Sequence, residues 1–389
     1  MEEVLITGLG AISHLGTGAD AFWHGLIRAE SAPGPAADPH ARMDITLMYS
    51  VPEPPEPEPG PTVSPASRLA VAAAREALAD AALGAVAPSR LAVVIGTGMG
   101  DAGLHEQWRT DGPPQDGDWS PVFSVASEVS EWLGAQGPST SISNACAASG
   151  FGLSAAAELI RTGAADVVVA GGAEAYSRVA LACFNRLGAI DPQECRPFDA
   201  NRRGTVFGEG AGILVLESAA HAAARNAPRV YAKLAGEGWS CDAHHATAPD
   251  PSGTQIVRAM REAMERSGAK AEDVGCVVPH GTGTELNDVV ESQALHTVLG
   301  SGAARTPLYS LKALVGHTGG AAAALGTVAA ALILHHRAVP PNRPVAEPDP
   351  ACEVRLPVER TALEGPFVIV NAYAFGGNNV SLVLQEAGA

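Results

Sequence analysis

Three residues with reactive side chains, Cys146, His280 and His317, lie in segments rich in small residues. Cys146 stands between a strand-like run and a predicted helix, where a turn places a thiol at a helix N-terminus and the peptide dipoles favour thiolate. His280 ends a predicted strand, a position that exposes a side chain at the strand's carboxyl edge. His317 precedes a Gly- and Ala-rich helix and follows Lys312 by five residues. A thiol nucleophile with two imidazoles and a lysine indicates acyl-thioester chemistry.

Each of these residues has a simpler interpretation when it is taken alone. A free cysteine is usually a buried structural thiol, and an isolated histidine is usually a satisfied core or surface residue. Cys146 differs because the alanines beside it leave room for close approach, and because two Gly-rich histidine segments follow it. The combination favours a catalytic thiol.

Two further motifs invite cofactor or metal interpretations that their surroundings do not support. Gly-Leu-Gly at residues 8–10 follows a predicted strand, but Ser13 replaces the third glycine of a dinucleotide-binding fingerprint, and a tight structural turn is favoured. Cys-Asp-Ala-His-His at residues 241–245 lacks a second ligand pair at zinc spacing, which predicts a polar loop near the site. The sequence therefore predicts no metal and no resident cofactor.

Composition narrows the classes of partner. The 389 residues carry 42 acidic and 25 basic side chains, a net charge of −17, which makes nucleic acid and anionic membranes poor partners. The six cysteines are scattered, as in a reduced cytoplasmic protein, and the N-terminus lacks the basic region of a signal peptide. The apolar stretch 319–334 is predicted to be a buried core helix rather than a membrane span.

Predicted strands alternate with predicted helices, which indicates an α/β architecture with buried sheets. Strands are predicted at 4–7, 91–96, 139–143, 166–170, 211–217, 230–237, 274–278, near 308, 367–371 and 380–384. Helices are predicted at 19–28, 67–83, 122–133, 150–162, from 218, at 252–267, 287–299 and from 319. A stretch rich in Pro and Glu, residues 31–64, is predicted to be an exposed excursion.

The two halves of the chain look like similar units, which suggests an internal duplication without a close sequence repeat. We predict an N-terminal half at residues 1–235 and a C-terminal half at residues 236–389. Cys146 belongs to the first half, whereas both histidines and Lys312 belong to the second. The site is therefore expected where the halves meet.

Taken together, these residues resemble the β-ketoacyl synthases, the condensing enzymes of fatty acid and polyketide synthesis. The resemblance covers nearly the whole chain, and its motifs are VLITGLG at 4–10, the Cys146 turn, AGGAE at 170–174, FGEGAG at 207–212, the His280 and Lys312/His317 segments, and FGG at 375–377. The two histidines match the Cys-His-His branch, because chalcone synthases and the third type of ketoacyl synthase use Cys-His-Asn. The resemblance implies a thiolase-like fold, with two duplicated βαβαβαββ halves in a five-layer αβαβα sandwich.

The resemblance also implies roles for the central residues. Cys146 would accept an acyl group from a carrier-protein thioester, with the backbone N–H groups of Cys146 and Phe375 as the oxyanion hole. His280 and His317 would hold the carbonyl of a malonyl thioester while it loses CO2. Lys312 would orient His317 and the supporting Glu291.

Further positions match surrounding parts of the family's site. Thr282 and Thr284 fall where the family binds the pantetheine arm, which the acyl carrier protein itself carries. Phe375 matches a gating aromatic, and Phe184 is expected to line the acyl tunnel. Arg68 and Arg186 are candidates for docking the acidic carrier protein.

The finer assignment depends on a few departures from the common fatty acid pattern. Asn287 stands beside the supporting Asp288 where fatty acid enzymes usually have glycine, which resembles type II polyketide ketosynthases. Ala374 replaces a glycine before the gate, and Asn378 replaces a common threonine. We therefore expect a type II polyketide ketosynthase, with a fatty-acid-elongating 3-oxoacyl synthase II as the alternative.

Two rivals from related classes fit less well. A non-catalytic chain-length factor shares the fold but typically lacks the cysteine, which is present here as Cys146. A thiolase would need another cysteine in the C-terminal Gly-rich loop, and residues 372–379 contain none. The resemblance also implies a dimer, formed with a second copy or with a chain-length factor homologue.

Overall fold

The computed structural model describes residues 2–55, 63–112 and 121–388. Its strands are β1 (Val4–Ser13), β2 (Gly16–Thr17), β3 (Gly34–Pro35), β4 (Leu47–Tyr49), β5 (Leu91–Gly96), β6 (Ser139–Ile142), β7 (Val167–Glu174), β8 (Phe207–Gly208), β9 (Gly210–Ser218), β10 (Ala232–Cys241), β11 (Val274–Val278), β12 (Ala338–Val339), β13 (Thr361–Ala362), β14 (Phe367–Ala374) and β15 (Asn378–Glu386). Its helices are α1 (Ala19–Arg28), α2 (Pro65–Asp80), α3 (Ala102–Asp111), α4 (Val125–Leu133), α5 (Ala148–Arg161), α6 (Arg178–Arg186), α7 (Ala219–Ala224), α8 (Thr254–Ser267), α9 (Glu285–Leu299), α10 (Lys312–Val315) and α11 (Ala322–His336).

The main sheet is mixed, and its first part runs in the order β6-β5-β7-β9-β1. β5 is parallel to β6 and β7, whereas β9 is antiparallel to β7 and β1. β5, β7 and β9 are buried along their whole length. Helices cover both faces of these strands, which explains their nearly continuous apolar sequences.

The second part of the sheet runs in the order β11-β14-β15-β10. β11 is parallel to β14, and β15 is antiparallel to β14 and β10. Leu308 forms an isolated parallel bridge to Val277 of β11, in the place that β6 takes beside β5. The two strand sets thus share their order and direction, and the antiparallel β1–β10 pair joins them.

Helix α11 lies between the two strand sets and contacts β9 of the first, β14 of the second, and α5. Every residue from Ala322 to Leu334 is buried, because the helix is apolar on all sides, as a core helix is. Gly319–His336 is long and apolar enough to cross a membrane by length and composition, but 83% of it is buried inside the protein. Helix α2 contacts β1 and β9 of the sheet, and helix α8 contacts β10 and β15.

Glycines in β1 allow helix α2 to pack against the strand backbone. A Cβ atom at Gly8 would lie 2.2 Å from the carbonyl oxygen of Ala77, and one at Gly10 would lie 1.9 Å from that of Ala73. The prediction of a tight turn at residues 8–10 is wrong, because both glycines lie inside the strand. They serve close helix–sheet packing instead.

The predicted elements are found with ends that shift by up to six residues, and α1, β5 and β11 have the predicted bounds. The exception is the strand predicted near 308, where the structure has only the isolated bridge of Leu308. The sequence does not predict α3 and α6, which are short and partly exposed. The prediction that residues 31–64 form an exposed excursion is wrong for the segment around β4. Met48, Tyr49 and Val51 are buried there, because β4 pairs with β3 and β8 in a small sheet. Residues 56–62 of this stretch lie outside the described residues.

Candidate active site

Cys146 lies in a short helical turn, Ala145–Ala147, that follows β6 and leads directly into α5. Ala145 has a left-handed backbone with φ of 47°, a conformation that costs energy for a residue with a Cβ atom. The strained turn presents the half-buried thiol at the start of a helical segment, as the sequence predicts.

Without substrate, however, Cys146 is mainly a protonated thiol at neutral pH. Burial raises the pKa of Cys146 to about 11, and the carboxylate of Glu174 acts in the same direction. Lys312 and the backbone N–H groups of Cys146 and Phe375 lower the pKa without compensating for burial. The expectation that the helix dipole makes thiolate the favoured form is therefore wrong here, because desolvation outweighs it.

His280 follows β11 and is held in place by a carboxylate on α9. The backbone N–H groups of His280 and Gly281 each donate to the fully buried Glu291 over 2.8 Å. Asn371 donates to the same carboxylate over 3.3 Å. Burial raises the pKa of Glu291 to about 7, while the two N–H donors oppose that rise. Glu291 therefore fixes the backbone on which the His280 ring is mounted.

His317 is held through its backbone by the segment before β9. Its N–H donates to the carbonyl of Val206 over 2.8 Å, and its carbonyl accepts from Gly208 over 3.0 Å. The His280 and His317 ring centroids are 5.6 Å apart, and the rings are nearly perpendicular at 86°. The Nδ1 atom of each ring is buried without a hydrogen-bond partner among the described residues. Burial, followed by the charge of Lys312, holds the pKa of both imidazoles well below the usual value, so both rings are neutral.

Lys312, the first residue of α10, is buried and donates to the backbone carbonyl of His280. Burial lowers the pKa of Lys312, while Glu291 acts to raise it. The hydrogen bond shows that Lys312 supports His280 directly, a contact that the sequence alone does not predict.

A second buried carboxylate, Asp288, organises the loop after His280. It accepts from the N–H groups of Phe198, Thr282 and Gly283 at 2.8, 3.1 and 3.2 Å. Arg202, which no sequence motif indicates, forms an ion pair with Asp288 at 3.6 Å. The loop that carries the predicted threonines is thereby fixed on both sides.

Two cavities meet at Cys146. The acyl cavity, as we name it, has a volume of about 110 Å³ and is mostly apolar. Its lining includes Met48, Met99, Cys146, Tyr176, Leu181, Phe184 and Phe207. The entry cavity has a volume of about 70 Å³, and its lining includes Cys146, Phe184, Asp242, His280, Thr282, Thr284, Asn287, His317, Phe375 and Asn379.

Aromatic side chains and a polar loop lie where the two cavities meet. Phe184 of α6 lines both cavities and stacks on Phe375, with ring centroids 5.0 Å apart and planes 11° apart. Thr282 and Thr284 share a hydrogen bond of 2.9 Å. Asp242 accepts from Asn379 over 2.6 Å, so the segment 241–245 is a polar loop at the site, as predicted. The described residues contain no group of three side chains able to hold a metal ion.

Glu174, at the end of β7, is a further site residue whose position only the structure gives. Its buried carboxylate accepts from the N–H groups of Gly98, Met99 and Gly320 at 2.6, 3.0 and 2.7 Å. It thereby ties β5 and β7 to the turn that follows His317. The AGGAE motif indicates that Glu174 matters, but its partners lie far away in the sequence.

The two arginines predicted for carrier docking differ in exposure. Arg186 ends α6 and is exposed. Arg68 on α2 is half-buried, and its Nε atom is buried without a hydrogen-bond partner among the described residues. Arg186 is thus free to meet a partner's surface, whereas the Arg68 guanidinium is partly enclosed.

Two models of known protein families match this chain, one in its N-terminal part and one in its C-terminal part. Residues 1–222 match the β-ketoacyl synthase N-terminal domain, and residues 231–346 match the β-ketoacyl synthase C-terminal domain.

Curated relatives match over their full length. Nodulation protein E of Rhizobium meliloti (strain 1021) is 34% identical over 416 residues, which cover 99% of each chain. The 3-oxoacyl-[acyl-carrier-protein] synthase 2 of Synechocystis is 32% identical over 415 residues, covering 99% of this chain and 98% of the relative.

Two solved structures of related proteins also match over nearly their whole length. The ishigamide ketosynthase/chain length factor has a TM-score of 0.90 at 35% identity, with 100% of both chains covered. A ketosynthase bound to a hexaketide, in complex with its type II polyketide acyl carrier protein, has a TM-score of 0.90 at 30% identity, with 99% of both chains covered.

Proposed function

The chain belongs to the β-ketoacyl synthase family, whose members are acyltransferase condensing enzymes, and on that premise we propose that it extends acyl chains in type II polyketide biosynthesis. The acyl chain would be held on Cys146 and condensed with a malonyl-carrier protein. The observation that carries this proposal is that Cys146 lines both cavities, one apolar and one containing two neutral imidazoles.

The first half-reaction transfers the acyl group. A carrier-bound acyl thioester enters through the entry cavity, where Thr282 and Thr284 bind the pantetheine arm. The Cys146 sulfur attacks the thioester carbonyl, while the N–H groups of Cys146 and Phe375 stabilise the oxyanion. The carrier leaves as its free thiol, which takes up the proton that Cys146 gives up, and the acyl chain occupies the acyl cavity.

The second half-reaction forms the carbon–carbon bond. His280 and His317 donate hydrogen bonds to the carbonyl of the malonyl thioester while CO2 leaves and an enolate forms. The enolate carbon attacks the acyl thioester on Cys146, which releases the cysteine sulfur and gives a carrier-bound β-ketoacyl chain. Lys312, Glu291 and Asp288 position the histidine segments and do not exchange protons with substrate.

The family implies the architecture that we propose for the whole chain, namely two duplicated halves in a five-layer thiolase-like sandwich. The equal order and direction of the two strand sets support it. We propose to divide the halves just before β10 rather than at residue 235, because residue 235 lies inside that strand.

The partners follow from the same premise. We propose an acyl carrier protein that docks near Arg186 and Arg68, and a dimer with a second copy or with a chain-length factor homologue. Related ketosynthases have been solved with such partners. A cytoplasmic location remains a prediction from cysteine usage.

The fatty-acid-elongating synthase is the second candidate, favoured by the similarity to the Synechocystis enzyme. The polyketide proposal is supported by Asn287, which lines the entry cavity beside Asp288, and by the hexaketide-bound relative. The chain-length factor alternative is disfavoured because Cys146, both histidines and Lys312 are all present and close together.

Co-expression with candidate carriers and a chain-length factor homologue, followed by mass spectrometry of carrier-bound products, tests this choice. Carrier-bound poly-β-keto chains are expected. Reduced long chains made with a housekeeping carrier, in the presence of the reducing enzymes, would favour the fatty acid candidate instead.

A further inference from the structure

Tyr176 stands between the acyl cavity and an ion cluster, which consists of Asp38, from the segment that the sequence predicts to be exposed, and the partly exposed Arg178 of α6. The residue lies in the connection between β7 and α6, and it lines the acyl cavity together with Met48 of β4. Its hydroxyl donates to Asp38 over 2.8 Å. Neither Asp38 nor Arg178 is among the residues that line the cavity, so the phenol lies between the cavity and these two charges.

Asp38 and Arg178 hold the Tyr176 phenol from the side that faces away from the acyl cavity. Arg178 donates to the Asp38 carboxylate twice, from Nε over 2.6 Å and from Nη2 over 3.1 Å. The Asp38 side chain is only 6% exposed, and the backbone N–H of His40 also donates to it over 2.8 Å. Paired charged hydrogen bonds fix geometry more firmly than neutral ones, so this cluster restricts the position of the Tyr176 ring.

The cluster keeps its charge under all ordinary conditions. Hydrogen bonding to Arg178 lowers the pKa of Asp38 to about 2, so the carboxylate stays ionised. Burial, followed by the hydrogen bond to Asp38, raises the pKa of the Tyr176 phenol, which therefore stays a donor. The Tyr176 backbone is fixed as well, because its N–H donates to the half-buried Glu209 over 3.2 Å.

We propose that Tyr176 sets the longest acyl chain that the acyl cavity accepts, and that Asp38 and Arg178 hold its ring as a rigid wall. The inference rests on the proposed function, because it concerns chains carried on Cys146. A fixed wall excludes chains that are too long, since one extra methylene in an apolar pocket already changes selectivity about 10-fold or more. Asp38 and Met48, which lie in the stretch that the sequence predicts to be exposed, would thus serve specificity.

The test measures acylation of Cys146 by a series of saturated acyl-carrier thioesters of increasing length, with intact-mass detection. Tyr176→Ala removes the wall and should raise the acylation rate of the first excluded chain about 10-fold or more, relative to a short chain. Tyr176→Phe keeps the ring but loses the hydroxyl that donates to Asp38, so it should raise that rate by less than Tyr176→Ala does, and a Tyr176→Phe length profile equal to wild type would overturn the role of Asp38 and Arg178. Val358→Ala, an exposed position, controls for general effects of substitution.

The outcomes separate this inference from the proposed function. If wild type is acylated by no chain of any length, the proposed function fails. If wild type is acylated and folded Tyr176→Ala keeps the wild-type length profile, the assignment of Tyr176 is overturned. Should Tyr176→Ala not fold, Tyr176→Trp, which fills the cavity, must shift the limit to shorter chains, and an unchanged limit would equally overturn it.

Discussion

The rings of Phe184 and Phe375 stack where the two cavities meet, with centroids 5.0 Å apart and planes 11° apart. Phe184 belongs to α6 in the first half, and Phe375 follows β14 in the second. The pair therefore brings α6 and the segment after β14 together at the site, where Phe184 and Cys146 both line the two cavities.

The stack should appear as an energetic coupling between the two positions. A double-mutant cycle of Phe184→Ala and Phe375→Ala, measured by denaturant unfolding, should give a coupling of about 0.5–1.5 kcal/mol. The reason is that aromatic pairs stabilise each other beyond the area they bury. Phe123, which is 47% exposed, supplies the control. The effects of Phe184→Ala and Phe123→Ala on the unfolding free energy should be additive within about 0.5 kcal/mol. If the two cycles give the same coupling energy, the stacked rings contribute no stability of their own.

The Cys146 thiol should react as a group with a raised pKa. Because burial raises that pKa to about 11, thiolate is the minor form at neutral pH and increases as the pH rises. Alkylation of Cys146 by iodoacetamide, followed by peptide mass spectrometry, should therefore accelerate about 10-fold per pH unit from pH 7 to pH 10. If the alkylation rate instead reaches a plateau below pH 9, the helix N-terminus and Lys312 lower the pKa of Cys146 by more than burial raises it. Lys312→Met should slow the reaction further, because it removes a positive charge that favours thiolate.

Loss of Glu291 should destabilise the protein through its two backbone partners. Glu291→Ala leaves the N–H groups of His280 and Gly281 without their acceptor, and a buried unpaired donor costs about 1–3 kcal/mol. A loss of at least about 2 kcal/mol in unfolding free energy is expected, together with loss of condensation. Glu285→Ala on the same helix is the matched control, because Glu285 is exposed and should change stability by no more than about 0.5 kcal/mol. Equal stability of the two variants would contradict this role for Glu291.

The ion cluster behind Tyr176 predicts a specific pH dependence. The pKa of Asp38 is lowered from 3.8 to about 2 by Arg178, so its stabilising effect is full above about pH 4 and disappears as the pH falls through 2. Asp38→Asn should therefore lower the unfolding free energy by about 1–2 kcal/mol at pH 7. The difference from wild type should shrink between pH 4 and pH 2. A difference that is constant over that range would show that the Asp38 charge contributes nothing.

The sequence predicts those features that depend on short segments. Cys146 and His280 could be placed because a strand end and a helix start lie within a few residues of each, and β5 and β11 are recognised from their β-branched runs. Features that depend on distant segments could not be predicted. Glu174 meets Gly320 only in the folded chain, and Tyr176 meets Asp38 across 138 residues.

The direction of the Cys146 pKa shift shows the same limit. A helix start can be read locally, and it favours thiolate. Burial depends on how Gly319, Gly320 and Phe375, which are distant in the sequence, line the cavities around Cys146, and this is a property of the tertiary structure. Desolvation dominates, so the helix start taken alone predicts the wrong sign of the pKa shift.

Intact-mass analysis of wild type and Cys146→Ala shows whether Cys146 carries the acyl chain. Both proteins are incubated with an acyl-carrier thioester and digested to locate the added mass. We expect one acyl group on the peptide containing Cys146 in wild type, and none on the variant, which should melt at a similar temperature. Equal acylation of Cys146→Ala, or an acyl group on another residue of wild type, would show that Cys146 is not the acyl carrier.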